Sequence, residues 1–141
     1  MHFNDVIYVM ASIVNFSDAA SIGIHGMVIL ARTGEPLNAI ELSKRLGKSK
    51  HHIGKVMQRL VKTGFLDSYR GPTGGFKLKL KPEDIKMYDI YAAIEGPVII
   101  KECERENPIC PKDKCIFGNV VKVLTQEFTD YMKKETLKDY I

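Results

Sequence analysis

Three thiols fall within one stretch, ECERENPICPKDKCIFGN, as Cys103, Cys110 and Cys115, with six and four residues between them. These are all the cysteines of the chain. Sulfur donors crowded on one loop can converge on a single soft metal centre, and a protein of a reducing compartment does not ordinarily use such a set for structural disulfides. An iron–sulfur cluster normally takes four protein ligands, so this trio would need a fourth partner. Tetrahedral zinc with three cysteines and one further ligand is also reasonable chemistry. A metal-free thiol–disulfide or persulfide switch stays open too, because Lys101, Arg105, Lys112 and Lys114 would favour a thiolate. Three inert cysteines fit less well, since buried structural cysteines are usually scattered through apolar segments.

The second chemical signal is charge. From Lys44 to Lys81 eleven lysines and arginines stand against one acid, Asp67, giving +10 in a chain whose total is +4. The remainder of the chain is therefore −6. Such a basic block inside an otherwise acidic protein is the electrostatic footprint of a polyanion site. A solvated lysine-rich face is the blander reading.

Apolar spacing shows which elements would carry these residues. Residues 3–14 place Phe3, Val6, Ile7, Met10, Ile13 and Val14 on one helical face. A second helix is expected after the Ser17-Asp18 cap, ending near Gly34. Residues 38–46 form a short helix, Gly47 breaks it, and Ser49 caps a longer one over 50–63, a helix-turn-helix pattern. On that longer helix Ile53, Val56, Met57, Leu60 and Val61 share one face, and the opposite face is basic and hydrogen-bonding. The string FLDSYRGPTGGFKLKL then alternates around a Gly-rich turn, which reads as a hairpin, or wing. A further helix carries Ile85 to Ile94 and stops at Gly96-Pro97. The last helix, from about Ile116 to Tyr131 or beyond, bears a stripe of Phe117, Val120, Val121, Leu124, Phe128 and Tyr131 too apolar to face water. It is expected to pair with the same helix of a second subunit. The fold class is thus mainly α with a small β-hairpin wing. Its divisions are an N-terminal helical extension (1–16), a winged helix-turn-helix DNA-binding domain (17–82), and a sensor loop with dimerisation region (83–141).

An α-helix fits the major groove of double-stranded DNA, and the start of the recognition helix reaches the base edges. Here that start is Ser49, Lys50, His51 and His52. Lysine can donate to guanine, histidine can donate or accept, and the helix N-terminus at Ser49 suits a phosphate. Lys55 and Arg59, further along, are placed for phosphates. In the wing, Arg70, Gly71, Thr73, Gly74 and Lys77 are the expected contacts, with glycines permitting close backbone approach and Arg70 reaching a minor groove. A merely structural hairpin, and exposed histidines with no role, are the alternatives. So is an interaction protein that uses the basic block for RNA or for a protein partner.

Other classes fall away. Gly71-Pro72-Thr73-Gly74-Gly75 lacks the Lys-Ser/Thr ending of a phosphate loop, and no Cys–His pair has an orienting third group, so an enzyme with a small-molecule substrate is not expected. No apolar run approaches a membrane span. The opening residues lack a basic leader and a small-residue cleavage site, so a cytoplasmic protein is expected.

The string LSKRLGKSKHHIGKVMQRLVKTGFLDSYRGPTGGFKLKL, followed by MYDIYAAIEGP, the three cysteines and a closing ETLKDYI, resembles the Rrf-two type winged-helix transcription regulators. The resemblance runs from about Ser17 to Ile141, and its most specific piece is RGPTGGF. It implies a homodimer on a palindromic or pseudo-palindromic promoter site, acting mostly as a repressor, with a sensing loop beside a long dimerisation helix. It also implies a 2Fe-2S or 4Fe-4S cluster on Cys103, Cys110 and Cys115; zinc, open on the chemistry of the donors, is the lesser choice. The family's cluster-bearing sensors space these cysteines evenly, whereas the gaps here are unequal. One type of sensor takes its fourth ligand from a histidine after the third cysteine, where this chain has Gly118. Another takes an acid near the start of the first family helix of the partner subunit. The aligned position is Ser21, which makes Asp18, one turn earlier, the candidate and His25 a second. Residues 1–16 extend beyond the family's usual start.

Overall fold

The computed structural model describes residues 16–100, 110 and 113–141. The helix expected over 3–14 and Cys103 lie outside the described residues. The element order is α1 (Asp18–Thr33), α2 (Ala39–Leu46), α3 (Lys50–Lys62), β1 (Leu66–Tyr69), β2 (Gly75–Leu78), α4 (Met87–Glu95) and α5 (Val120–Lys134), with short 3₁₀ turns at Pro82–Asp84 and Leu137–Tyr140. This is the mainly helical, hairpin-bearing architecture that the apolar spacing implies.

Local chemistry sets the boundaries. The Ser17 side chain accepts from the Ala20 N–H at 3.0 Å to open α1, and Gly34 closes it in a left-handed conformation. Asn38 and Glu41 form a reciprocal capping box on α2, each bond 2.8 Å, so two otherwise orphaned N–H groups are satisfied. Two boundaries differ from expectation. Ile85 is extended and precedes α4, because Pro82-Glu83-Asp84 close a separate 3₁₀ turn. The last helix begins at Val120 rather than near Ile116, since Gly118 and Asn119 both take left-handed φ (61° and 58°), which an α-helix cannot contain.

A single apolar core is shared by these elements. Ile22, Met27 and Leu30 of α1 meet Ile53, Met57 and Leu60 of α3, Leu42 of α2, and Ile90 and Ile94 of α4, with Met132 and Leu137 closing the C-terminal end. Along α1 two buried glycines permit this closeness, because a Cβ on Gly23 would collide with Ile94 and one on Gly26 with Met57. The chain end is tied back by backbone bonds from Met87 N–H to Glu135 O (2.9 Å) and from Leu137 N–H to Ile85 O (3.0 Å). Arg32 adds a bond from its Nε to the Tyr140 carbonyl at 2.7 Å.

The hairpin is antiparallel, pairing Leu66 with Leu78 and Tyr69 with Gly75. It gains a third extended segment that spacing did not reveal. Leu37, in the turn between α1 and α2, exchanges both backbone bonds with Phe76, N–H to O, at 3.1 and 2.8 Å. Gly75 lies against this bridge at φ 148°, and a Cβ there would stand 2.5 Å from the Leu37 carbonyl carbon. Gly75→Ala should therefore cost about 2–4 kcal/mol, combining a disfavoured φ with a displaced backbone. The check is the urea midpoint, and a wild-type value would mean the hairpin does not approach Leu37 this closely.

Candidate nucleic-acid interface

The face that α3 turns outward follows from the face it buries. Ile53, Val56, Met57 and Leu60 are buried, which leaves Lys50, His51, Lys55, Gln58, Arg59 and Lys62 exposed and His52 half-buried. Ser49 caps the helix by accepting from the His52 N–H at 3.2 Å. The first turn carries no acid, so nothing there offsets the positive end of the helix dipole. A groove of about 700 Å³ runs along this face, lined by Lys50, His51, Lys55 and Arg59 and bounded by Ala19 and Ile94. Lysine, histidine and arginine side chains thus stand along an open groove with Val56 and Ile94 in its wall.

The wing presents a second set. Arg70, Gly71 and Thr73 are exposed in the turn and Lys77 on β2, while Gly74 is half-buried. A Cβ on Gly74 would collide with the Tyr69 carbonyl oxygen, so the tightness of the turn requires glycine there. Lys77 pairs across the strands with Asp67, the only acid of the basic block. The Leu37–Phe76 bridge ties the hairpin to the turn ahead of α2 and so joins the wing to the helix-turn-helix.

Two contacts were not foreseen from sequence. Arg59, assigned above to a phosphate, donates from Nη1 to the carbonyl oxygen of Ile94 at 2.8 Å and so joins α3 to the C-terminal end of α4. Lys48, in the turn of the helix-turn-helix, pairs with Asp18 at 3.2 Å. Spacing gives no signal for either, since the partners are 35 and 30 residues apart.

The sulfur site is described in part. Cys110 and Cys115 are both partly buried, and the Cys115 carbonyl accepts from the Gly118 N–H at 3.0 Å in the turn leading into α5. Among the described residues no three His, Cys, Asp or Glu side chains gather as a metal site. Asp18 is engaged by Lys48, and His25 bonds within its own helix, its Nδ1 lying 2.7 Å from the Ser21 carbonyl oxygen. The root of the cysteine-bearing segment is fixed, because the Val98 N–H donates to the Tyr88 hydroxyl at 3.1 Å and Lys133 of α5 stands over the Tyr88 ring. The amino-terminal half of α5 is exposed, with Val120, Val121 and Val123 more than half open to solvent and Phe117 before them likewise.

Comparison with known proteins gives one answer. The family Rrf2, described as an iron-dependent transcriptional regulator, matches residues 16–141. The transcriptional regulator NsrR of Bacillus subtilis is 31% identical over 116 residues, covering 78% of this chain and 77% of that one. Protein rrf2 of Nitratidesulfovibrio vulgaris is 28% identical over 110 residues, covering 74% and 73%. Among solved structures, CymR, the global cysteine regulator of B. subtilis, superposes with TM-score 0.72 at 22% identity over 89% of this chain and 95% of its own, and T. potens IscR with 0.70 at 24% over 89% and 85%.

The Ser49 cap can be tested apart from any ligand. Ser49→Ala should cost about 1 kcal/mol in thermal unfolding, whereas Ser49→Asp, which keeps the cap, should stay within a few tenths of that scale. Equal losses in both variants would show that the hydroxyl is not acting as the helix cap.

Proposed function

The chain belongs to the Rrf2 family of transcriptional regulators, regulators rather than enzymes, and we propose that it binds a palindromic promoter site on double-stranded DNA as a homodimer and represses transcription from it. The observation that carries this reading is the capped, basic face of α3 held beside an anchored basic wing. Residues 17–82 form the reading domain and 83–141 the sensor loop and dimerisation region. Lys50, His51 and His52 read base edges from the first turn of α3, with Ser49 presenting the helix N-terminus to a phosphate. Lys55 and the remaining donors of Arg59 hold phosphates. Arg70, Gly71, Thr73, Gly74 and Lys77 bring the wing to the neighbouring groove. The exposed apolar face of α5 is the seam with the second subunit, since a patch of that kind on a surface helix marks an association site.

DNA affinity is set by an iron–sulfur cluster held by Cys103, Cys110 and Cys115, with Asp18 of the partner subunit as fourth ligand. The donor set supports this, because Cys110 and Cys115 are soft, partly accessible donors, and the family's description is iron-dependent. When bound, such a cluster supplies redox and ligand-exchange chemistry that a protein can sense. The coupling runs through this chain's own contacts. Tyr88 holds the root of the cysteine segment at Val98, and the last turn of α4 carries Ile94, whose carbonyl holds Arg59 on α3. A change of order in the segment is thereby carried to the tilt of the recognition helix, with a coupling of ~1–3 kcal/mol. Zinc and a metal-free thiol switch are the competing readings of the same cysteines.

Two measurements test the two halves. In a titration of palindromic duplex DNA at physiological salt, Lys50→Ala and Arg70→Ala should each weaken binding by about tenfold or more, and Lys55→Ala should lower the slope of log affinity on log salt by about 1. Wild-type affinity in all three would remove the DNA reading. Anaerobically purified protein should absorb broadly between roughly 320 and 460 nm with matching iron and sulfide, and Cys110→Ala should abolish the absorption without changing fold or oligomer. Colourless protein with zinc, or with no metal after reconstitution, would transfer the cysteines to a zinc or thiol role and leave the DNA reading intact.

A further inference from the structure

A smaller cavity lies between α1 and α2, apart from the groove along α3, with which it shares no lining residue. Its volume is about 210 Å³, and its wall is Ser21, Ile22 and His25 of α1 with Arg45 and Leu46 of α2 and Lys48 of the following turn. Asp18, Ser21, Ile22 and His25 recur at helical spacing on one face of α1, where Ile22 enters the core and His25 stays exposed. Gly47 ends α2 in a left-handed conformation between Arg45 and Lys48, and the two cations lean toward opposite ends of α1. Arg45 Nη1 donates to Thr33 Oγ1 at 3.4 Å, and Lys48 Nζ to Asp18 at 3.2 Å.

Donors outnumber acceptors in this wall. His25 Nδ1 lies 2.7 Å from the Ser21 carbonyl oxygen, which can only accept, so Nδ1 carries a proton and Nε2 is left over. Ser21 Oγ lies 3.3 Å from the same nitrogen, and because that nitrogen is protonated the hydroxyl hydrogen is free to turn toward the cavity. Arg45 keeps donors beyond the long bond to Thr33, and Lys48 keeps two beyond Asp18. Among the described residues Asp18 is the one carboxylate paired with any of these groups, and its side chain is 70% accessible, so water and salt weaken the pair. The dipole of α2 accounts for a basic residue in its last turn, but not for a histidine and a hydroxyl that line the same cavity from α1.

We propose that this cavity binds a phosphate-type oxyanion. Arg45 and Lys48 supply the charge and the Ser21 hydroxyl donates to one oxygen. His25 Nε2 accepts from a protonated phosphate oxygen or, when itself protonated, donates to an unprotonated one. Ile22 and Leu46 give the site an apolar side, which strengthens the polar contacts made beside it. Lys48 trades Asp18 for the anion at little cost. The same chemistry recognises a backbone phosphate of DNA beside the turn of the helix-turn-helix and a free inorganic or small-molecule phosphate. The site stands without the DNA reading, and only the first of these sources rests on it.

The test takes the full chain and inorganic phosphate at constant ionic strength in a chloride background, and follows the imidazole NMR signals of His25, identified by their loss in His25→Gln. These signals should shift saturably over millimolar phosphate, and Arg45→Gln and Lys48→Gln should each weaken the binding about fivefold. Both replacements fall on exposed side chains, so the thermal midpoint should stay at its wild-type value. Shifts that follow phosphate without saturating, or an unchanged affinity in both variants, would overturn the proposal. Duplex DNA then separates the sources. If a DNA phosphate fills the site, the double variant lowers the slope of log affinity on log salt by about 1. If a free phosphate fills it, that slope holds while the phosphate response of His25 is lost. A chain that binds no DNA at all would remove the reading of α3 and leave the His25 titration to decide this site alone.

Discussion

The buried face of α3 is the constraint on which the molecule depends. Four side chains, Ile53, Val56, Met57 and Leu60, are almost wholly withdrawn from water, and they lock the helix against α1, α2 and α4 at once. Burying side chains of this size is worth about 1.5–3 kcal/mol each. A rotation of α3 that hid its lysines would expose that seam, so the direction in which Lys50, His51 and Lys55 point is a consequence of core packing. The glycines of α1 belong to the same constraint. A Cβ at Gly23 or Gly26 would meet the tip of the Ile94 or the Met57 side chain, which would have to shift to admit it.

The helices were legible because their signals are local. Apolar spacing marked the core faces of α1, α3 and α4, and Ser17 and Ser49 marked starts that the side-chain caps bear out. The hairpin was legible from its glycines, but its tether was not. Leu37 meets Phe76 through backbone groups, which have no residue type to betray them, and only the paired glycines hinted that some backbone must come close. The start of α5 was misplaced for a related reason. Ile116 and Phe117 continue the apolar stripe, and spacing cannot see that Gly118 and Asn119 turn left-handed between them and Val120. Charge spacing likewise gave no sign that Arg59 reaches the Ile94 carbonyl, because that partner is a tertiary neighbour.

Rigidity and exposure are divided unevenly along the chain. The reading elements rest on a core with caps, a bridge and no buried unpartnered side-chain polar atom among the described residues. The segment that leads from Cys115 into α5 and the first turns of α5 instead show their apolar residues to solvent. Within the described residues that apolar face is left uncovered, whereas the helix-turn-helix buries its own apolar face in the shared core.

The two unforeseen contacts differ in strength, and the difference bears on how a signal could travel. The Lys48–Asp18 pair is exposed at both ends, with side-chain accessibilities of 40% and 70%, so it is worth no more than about 1 kcal/mol. Its carboxylate can exchange one partner for another at little cost. The Arg59–Ile94 bond joins a permanent cation to the negative end of α4's dipole in a partly buried setting, and charge-assisted bonds of this kind are worth about 1.5–3 kcal/mol. That link resists exchange. The end of α4 also shares the apolar core with α3, so a displacement there bears on α3 through packing as well as through this bond, whereas a change at Asp18 releases Lys48 without moving a helix. Of the two routes to the basic face, the one through α4 can transmit a mechanical shift, and the one through Asp18 alters only the charge presented by the turn.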